Sequence, residues 1–181
     1  GKYIKNRRGI PQKQEPCKDC KGTGCIFCNN HGIVHFDSVE GRISQFLYEK
    51  FGTVQAKFTW IGGEDKTSLV KGDGRPFFAK VSNPKKRKRL IRRRIKLDGI
   101  ELIELSKILE PRIGQIVFKS KIDILVKTEK IIKSTILNNL KKLEMPLKVN
   151  ISTEKSIIKK IYKISFKKIS PNLLKISMYA D

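Results

Sequence analysis

Four cysteines crowded into Cys17-Lys-Asp-Cys20-Lys-Gly-Thr-Gly-Cys25-Ile-Phe-Cys28 restrict what the start of this chain can become. The spacing is C-x2-C-x4-C-x2-C. Each C-x2-C turn aims two thiolates at one point, and Gly22 and Gly24 let the backbone fold tightly between the pairs. Four thiolates at about 2.3 Å complete a tetrahedral zinc site with no open position, which is a structural arrangement and not a catalytic one. Two disulfides or a redox dithiol are the rival readings. An intracellular setting argues against the first, and the doubled pair argues against the second. Cys17, Cys20, Cys25 and Cys28 are therefore expected to hold structural zinc, whose binding energy folds residues 1–35 as a knob. His31 and His35 lie close by, but four cysteines already saturate the metal, so both are expected at the surface.

Charge bounds the partners. The chain has 40 Lys and Arg against 17 Asp and Glu, a formal net charge of +23 over 181 residues. Such a field attracts polyanions and speeds encounter with them. Nucleic acid is the expected partner; an anionic membrane surface or a merely solvated face remain open on charge alone. No run approaches the ~20 apolar residues of a membrane span. The N-terminus shows no apolar stretch of the signal-peptide kind, so the expected setting is cytoplasmic, and no obligatory protein partner is evident.

The densest charge is Lys85-Lys86-Arg87-Lys88-Arg89 with Arg92-Arg93-Arg94 and Lys96. Like charges this close repel unless a polyanion neutralises them. A-form RNA suits the role, through phosphates that position it more than specify it. A solvated loop is the other reading. Leu90, Ile91 and Ile95 are interleaved, so part of the run is expected to pack on the core with its cations outward.

Periodicity predicts the elements. Asp37-Ser-Val-Glu40 has the Asp-x-x-Glu capping pattern, and Ile43, Phe46, Leu47 and Phe51 recur at helical spacing, so 38–51 is predicted helical up to Gly52. Residues 54–61 alternate and predict a strand, followed by a loop over 62–75 and a second strand over 76–82. Asp98-Gly-Ile-Glu101 repeats the capping pattern and predicts a helix through about Leu109. Beyond it come a strand over 114–127, an amphipathic helix over 129–142 and a short strand over 147–152. A hairpin of 157–166 with 173–179 closes across Ser170-Pro-Asn. Helices and strands mix without a βαβ repeat, which argues α+β with a mainly antiparallel mixed sheet and flanking helices. The chain stops at Asp181 directly after a strand, as a fragment or a shortened relative would.

One carboxylate stands out. Asp65 lies in a glycine-bearing turn, Trp60-Ile-Gly-Gly-Glu-Asp65, between two strand-like runs and among many cations. It can serve as a turn or helix cap. It can also be an acid kept ionised by its neighbours, able to attack carbon or abstract a proton. No Ser-His pairing, Walker loop or second acid at fixed spacing competes with it. Gly72-Asp-Gly74 reads as a tight turn. Phe58, Trp60, Phe77 and Phe78 flank Asp65 and are expected to divide between core packing and, for the minority, stacking on a base. Tyr162, on an alternating basic strand, is a candidate substrate-stacking residue.

These residues carry a resemblance. The Cys cluster, then Gly-Gly-Glu-Asp65, then Gly-x-Gly-Arg75-Pro-Phe-Phe, then Asn-Pro-Lys-Lys-Arg87 resemble the archaeal and eukaryotic tRNA pseudouridine synthases that modify uridines 54 and 55 of the T-arm. The lead-in Gly-Lys-Tyr-Ile-Lys…Arg-Gly-Ile-Pro-Gln12 is similar too. The resemblance implies a zinc knob at 1–35 and a pseudouridine-synthase-like catalytic domain at 36–181, incomplete at its C-terminus. It implies tRNA isomerisation with Asp65 as nucleophile and no organic cofactor, on a uridine drawn out of its stack. Arg75 and residues 85–96 would contact the RNA. The chain departs from the family pattern in three places. Gly63 stands where the motif has Arg, with Lys66 or Arg75 as substitutes. Ile122 stands where a base-stacking Tyr is expected. A later Gly-Gly-x-Tyr strand and a preceding RNA-binding domain are not in this sequence. A catalytically silent RNA-binding or ribosome-associated relative is the alternative these departures support.

Overall fold

The computed structural model describes residues 1–87, 94–109, 116, 118–150 and 158–181. Its contacts divide the chain into two units, Gly1–Gly114 and Gln115–Asp181. This division falls elsewhere than the expected 35/36 boundary.

The first unit is a five-stranded sheet in the order β2-β3-β1-β5-β4, with every described pairing antiparallel. Its strands are β1 (Lys2–Lys5), β2 (Ala56–Trp60), β3 (Val70–Val81), β4 (Ile95–Leu97) and β5 (Ile100–Glu104). β1, expected within the cysteine knob, is instead the middle strand, pairing with β3 on one side and β5 on the other. Helix α1 (Val39–Phe51) covers the sheet. Val39, Ile43 and Leu47 recur every fourth residue and join Tyr3, Phe77, Ile100 and Leu102 in one buried cluster. The helix begins where the sequence predicts, but Ser38 is the cap: its hydroxyl accepts from the Gly41 amide at 2.8 Å, and Gly52 ends the helix at φ 60°.

Two expectations fail here. Asp98 does not open a helix. Asp98-Gly99 is the two-residue turn of a β4–β5 hairpin, with Gly99 at φ 68°. The Asp98 carboxylate binds the Arg7 guanidinium through two hydrogen bonds of 2.8 and 2.7 Å, and Arg42 at 3.1 Å. Strand β3 also starts at Val70, within the expected loop. Gly72-Asp-Gly74 is a bulge inside it, where the register against β1 slips between Tyr3 and Lys5. Gly74 sits at φ 75°, and a Cβ there would lie 2.7 Å from the Tyr3 carbonyl oxygen.

The second unit is a four-stranded antiparallel sheet, β6-β9-β8-β7. It comprises β6 (Ser120–Lys127), α2 (Ser134–Lys141), β7 (Leu147–Asn150), β8 (Ile158–Ser170) and β9 (Leu173–Ala180). The predicted closing hairpin is β8–β9. The predicted helix 129–142 is shorter than expected, and β6 begins at Ser120, after the expected start. Two antiparallel sheets and two α-helices among the described residues make the chain α+β. No helix among the described residues is long and apolar enough to cross a membrane.

Candidate active site and metal centre

Lys5 organises the Asp65 loop from beneath. On β1 both Tyr3 and Lys5 are fully buried, and a buried lysine requires partners. Its Nζ donates to the carbonyl oxygens of Ile10 (3.0 Å) and Asp65 (2.8 Å). It also lies 3.2 Å from Glu64 Oε1, in an ion pair whose side chains are 0% and 2% exposed. The other carboxylate oxygen, Oε2, accepts from Arg75 Nε at 3.0 Å, and Arg75 Nη1 donates to the Ile61 carbonyl at 3.3 Å. Gln12 Nε2 donates to the Tyr3 hydroxyl at 3.1 Å and reaches the Gly62 carbonyl at 3.3 Å. Burial, followed by the Glu64 charge, pushes the Tyr3 phenol well above its ordinary value of 10, so it stays neutral. Gly9 and Arg8 brace the loop from outside, donating to the carbonyls of Lys66 (2.7 Å) and Thr67 (3.0 Å).

Two cations thus draw Glu64 inward, while Asp65 stays at the surface. Asp65 Oδ1 accepts four hydrogen bonds: from the Thr67 amide and hydroxyl (each 2.7 Å) and from the Ser68 amide (2.8 Å) and hydroxyl (3.0 Å). This is the local turn that Asp forms with residues two and three ahead. Among the described residues, Oδ2 has no hydrogen-bond or ion-pair partner. The carboxylate is therefore a cap through one oxygen and open through the other.

The Thr67 hydroxyl first, then the Ser68 hydroxyl and the two amides, hold the Asp65 carboxyl down to about 2 from 3.8. A group of that acidity is ionised throughout the neutral range. The sign for folding follows: the loop's contribution is present above about pH 4, near the ordinary 3.8, and is lost as pH falls through about 2. NMR titration of the Asp65 side-chain carbon is expected to report about 2, and Thr67→Val with Ser68→Ala to move it back toward 3.8. An unmoved titration would contradict the assignment of cause.

The expected cations occupy several settings. Arg75, expected on RNA, directs its guanidinium to Glu64, and its side chain is only 19% exposed. Lys85, Lys86 and Arg87 are exposed. The Lys86 amide donates to the Phe51 carbonyl at 2.9 Å, placing these cations at the C-terminal end of α1, where the helix dipole favours positive charge. Arg94 lies 3.6 Å from Glu101. Lys88, Arg89, Arg92 and Arg93 lie outside the described residues. Phe58, Trp60 and Phe77 stack together against the core, and Phe78 pairs opposite Thr59. Gly63 is exposed, with nothing within 4 Å of the position a Cβ would take. In the second unit the Tyr162 hydroxyl donates to Asp181 at 3.3 Å, and Lys119 Nζ lies 4.7 Å from its ring centre. Ile122 pairs opposite Met178 and is 39% exposed.

The cysteine ligand atoms all fall within 4.8 Å of one another. Cys17–Cys25, Cys20–Cys28 and Cys25–Cys28 stand at 3.9, 3.8 and 3.8 Å. A disulfide would need about 2.05 Å. Sulfurs at the corners of a tetrahedron around a metal at about 2.3 Å stand about 3.8 Å apart, so the set fits a closed metal site. Amides of Gly24 (3.1 Å), Cys25 (3.3 Å) and Gly32 (3.3 Å) donate to sulfur, which favours thiolate. His31, expected at the surface, is half-buried: it stacks on Tyr48 at 4.8 Å and 7°, and so ties the knob to α1.

The family model described as Pus10, C-terminal, matches residues 1–180. The chain belongs to the Pus10 C-terminal family. A tRNA pseudouridine synthase Pus10 of Nitrosopumilus maritimus is 44% identical over 169 residues, covering 93% of this chain and 44% of the relative. Its namesakes in Cenarchaeum symbiosum and Methanocaldococcus jannaschii are each 32% identical over the whole chain, covering 45% and 43% of their own lengths. The chain thus spans less than half of these Pus10 relatives.

Sequence reasoning missed Lys5, Glu64, Thr67 and Ser68. Asp65-Lys-Thr67-Ser68 does carry a readable signal, because Asp followed by hydroxyl residues is a turn signature. Nothing local marks Lys5, since lysine is ordinarily exposed.

Proposed function

We propose that this chain is the catalytic portion of a tRNA pseudouridine synthase acting on T-arm uridine 54, 55 or both, with Asp65 as nucleophile. The observation that carries the reading is an exposed carboxylate, held through one oxygen by Thr67 and Ser68 and open through the other, in a loop whose Asp65 main-chain carbonyl accepts from the wholly buried Lys5 of the middle strand. Membership of the Pus10 family supports the substrate class. The target uridine must leave its stack. An Asp65 carboxylate oxygen attacks the ribose C1′, the bond between N1 and C1′ breaks, and the uracil leaves as its N1 anion and turns. C5 then bonds to C1′ and displaces the carboxylate, which restores Asp65; the C5 proton is lost and N1 takes up a proton. The reaction is an isomerisation and needs no organic cofactor. Glu64, Lys5 and Arg75 fix the loop, Tyr162 is offered as a stacking residue, and the cations of 85–94 grip phosphates. The pseudouridine-synthase-like fold and a cytoplasmic setting belong to the same proposal.

Incubation with unmodified tRNA transcript carrying tritium at uridine C5 tests it. Tritium release, with pseudouridine mapped to the T-arm, is the expected result. A second reading, a catalytically silent RNA-binding relative, is favoured by Gly63 and Ile122 at motif positions. It predicts tRNA binding with no tritium released at any protein concentration.

Zinc is the metal proposed for Cys17, Cys20, Cys25 and Cys28, where it would stiffen the knob and take no part in the chemistry. Metal analysis is expected to find one zinc per chain, and Cys25→Ser to abolish it and loosen the knob's amides in hydrogen exchange. Full metal content in Cys25→Ser would refute the assignment.

A further inference from the structure

The sheet of the second unit has two unlike faces. Cross-strand register puts Ile122, Met178 and Ile164 in one row and Ile124, Ile176 and Phe166 in the next, an apolar face. The opposite face has the row Lys121–Tyr179–Lys163 and, two rows on, Leu125–Lys175–Lys167.

Lysines on a sheet commonly protect its edges from pairing with other chains. That can account for Lys121 and Lys148, on the edge strands β6 and β7, but not for Lys160, Lys163, Lys167 and Lys175, because β8 and β9 are the inner strands. Lys167 stands directly opposite Lys175, and Lys160 stands directly opposite Lys148. Like charges facing each other across a ladder destabilise a sheet. Asp123 relieves one of them, lying 2.9 Å from Lys175 Nζ while the Ser177 hydroxyl donates to it. Lys121, Lys163 and Lys167 are exposed and have no ion-pair partner among the described residues. Tyr179, between two of these lysines, is 42% exposed. The Tyr179 ring packs beside Tyr162 at 6.1 Å with Lys119 Nζ 5.9 Å from its centre, and a surface of repelling cations around a partly exposed aromatic ring is complementary to a polyanion that carries flat rings.

We infer that this lysine face of the second unit binds an RNA phosphodiester backbone, with Lys121, Lys163 and Lys167 on phosphates and Tyr179 against a ribose or base. Lys163 and Lys167 lie four residues apart on one strand, about 13 Å, so they address different phosphates. The surface belongs to a different unit from the basic run at 85–94. The identity of the RNA as tRNA rests on the proposed function; the face itself rests on register and charge.

The test uses the full chain and an unmodified tRNA transcript, with affinity measured against salt concentration. The variant is Lys121→Ser with Lys163→Thr and Lys167→Thr. The control is Lys130→Ser with Lys141→Ser and Lys142→Ser, which removes equal charge from outside the sheet. The lysine-face variant is expected to flatten the slope of log affinity against log salt by about 0.7–0.9 for each phosphate no longer neutralised, roughly 2–3 in all. Its melting temperature should hold or rise, because facing like charges have gone. Equal flattening in the control, or an unchanged slope in the lysine-face variant, overturns the inference. A lowered melting temperature with an unchanged slope also overturns it, since the lysines would then be structural. Binding is read without turnover, so an inactive wild-type chain would refute the proposed reaction and leave this result standing.

Discussion

Glu64→Ala is expected to destabilise the first unit by about 3–5 kcal/mol, the usual consequence of leaving a buried charge without its counter-ion. Lys5 is the charge left behind. Its side chain is wholly inaccessible; among the described residues it loses its one carboxylate partner, at 3.2 Å, and keeps the carbonyls of Ile10 and Asp65. Arg75 suffers less, since part of its side chain reaches water. Urea unfolding followed by far-ultraviolet circular dichroism measures the loss. The double variant Lys5→Met with Glu64→Leu should recover most of it, because a buried pair exchanged for apolar groups of similar volume is often neutral. If Glu64→Ala costs under about 1 kcal/mol, the pair behaves like an exposed salt bridge and does not anchor the loop.

Asp65→Asn is expected to lower the rate of pseudouridine formation by about 10⁴-fold or more, the scale of losing a nucleophile outright. The substitution isolates the charge. An Asn side-chain carbonyl can still accept from Thr67 and Ser68 as Oδ1 does, so the turn survives, while the amide nitrogen replaces the open Oδ2. Affinity for tRNA and the unfolding midpoint should change little. Single-turnover measurement at saturating protein separates chemistry from binding. A variant within tenfold of the parent would remove Asp65 from the reaction.

Much of the fold was legible in the sequence where local chemistry decides it. The four cysteines converge as their spacing implies, α1 ends at Gly52 as its periodicity implies although Ser38 and not Asp37 caps its start, and the Pro171-Asn172 turn closes the β8–β9 hairpin. Misreadings arose where one local pattern serves two structures. Asp98-Gly-Ile-Glu101 satisfies a capping rule, yet Asp-Gly between Leu97 and Ile100 also satisfies a hairpin rule, and pairing with β1 decided it. Gly72 and Gly74 look like a turn, but a strand absorbs them as a bulge because β1 lies alongside. The exposed half of the site, Asp65, could be read from its sequence surroundings. The buried half could not, because Lys5 and Glu64 lie 59 positions apart and meet only once β1 has entered the sheet.

Trp60 is the only tryptophan in the chain, and it sits in the first unit, stacked on Phe58 at 5.2 Å and edge-on to Tyr3 at 5.7 Å. Its emission is therefore a private reporter of the Asp65 half of the molecule. The sheet bearing Tyr162 and Tyr179 carries no indole, so following it by emission needs a dye or an introduced tryptophan of its own.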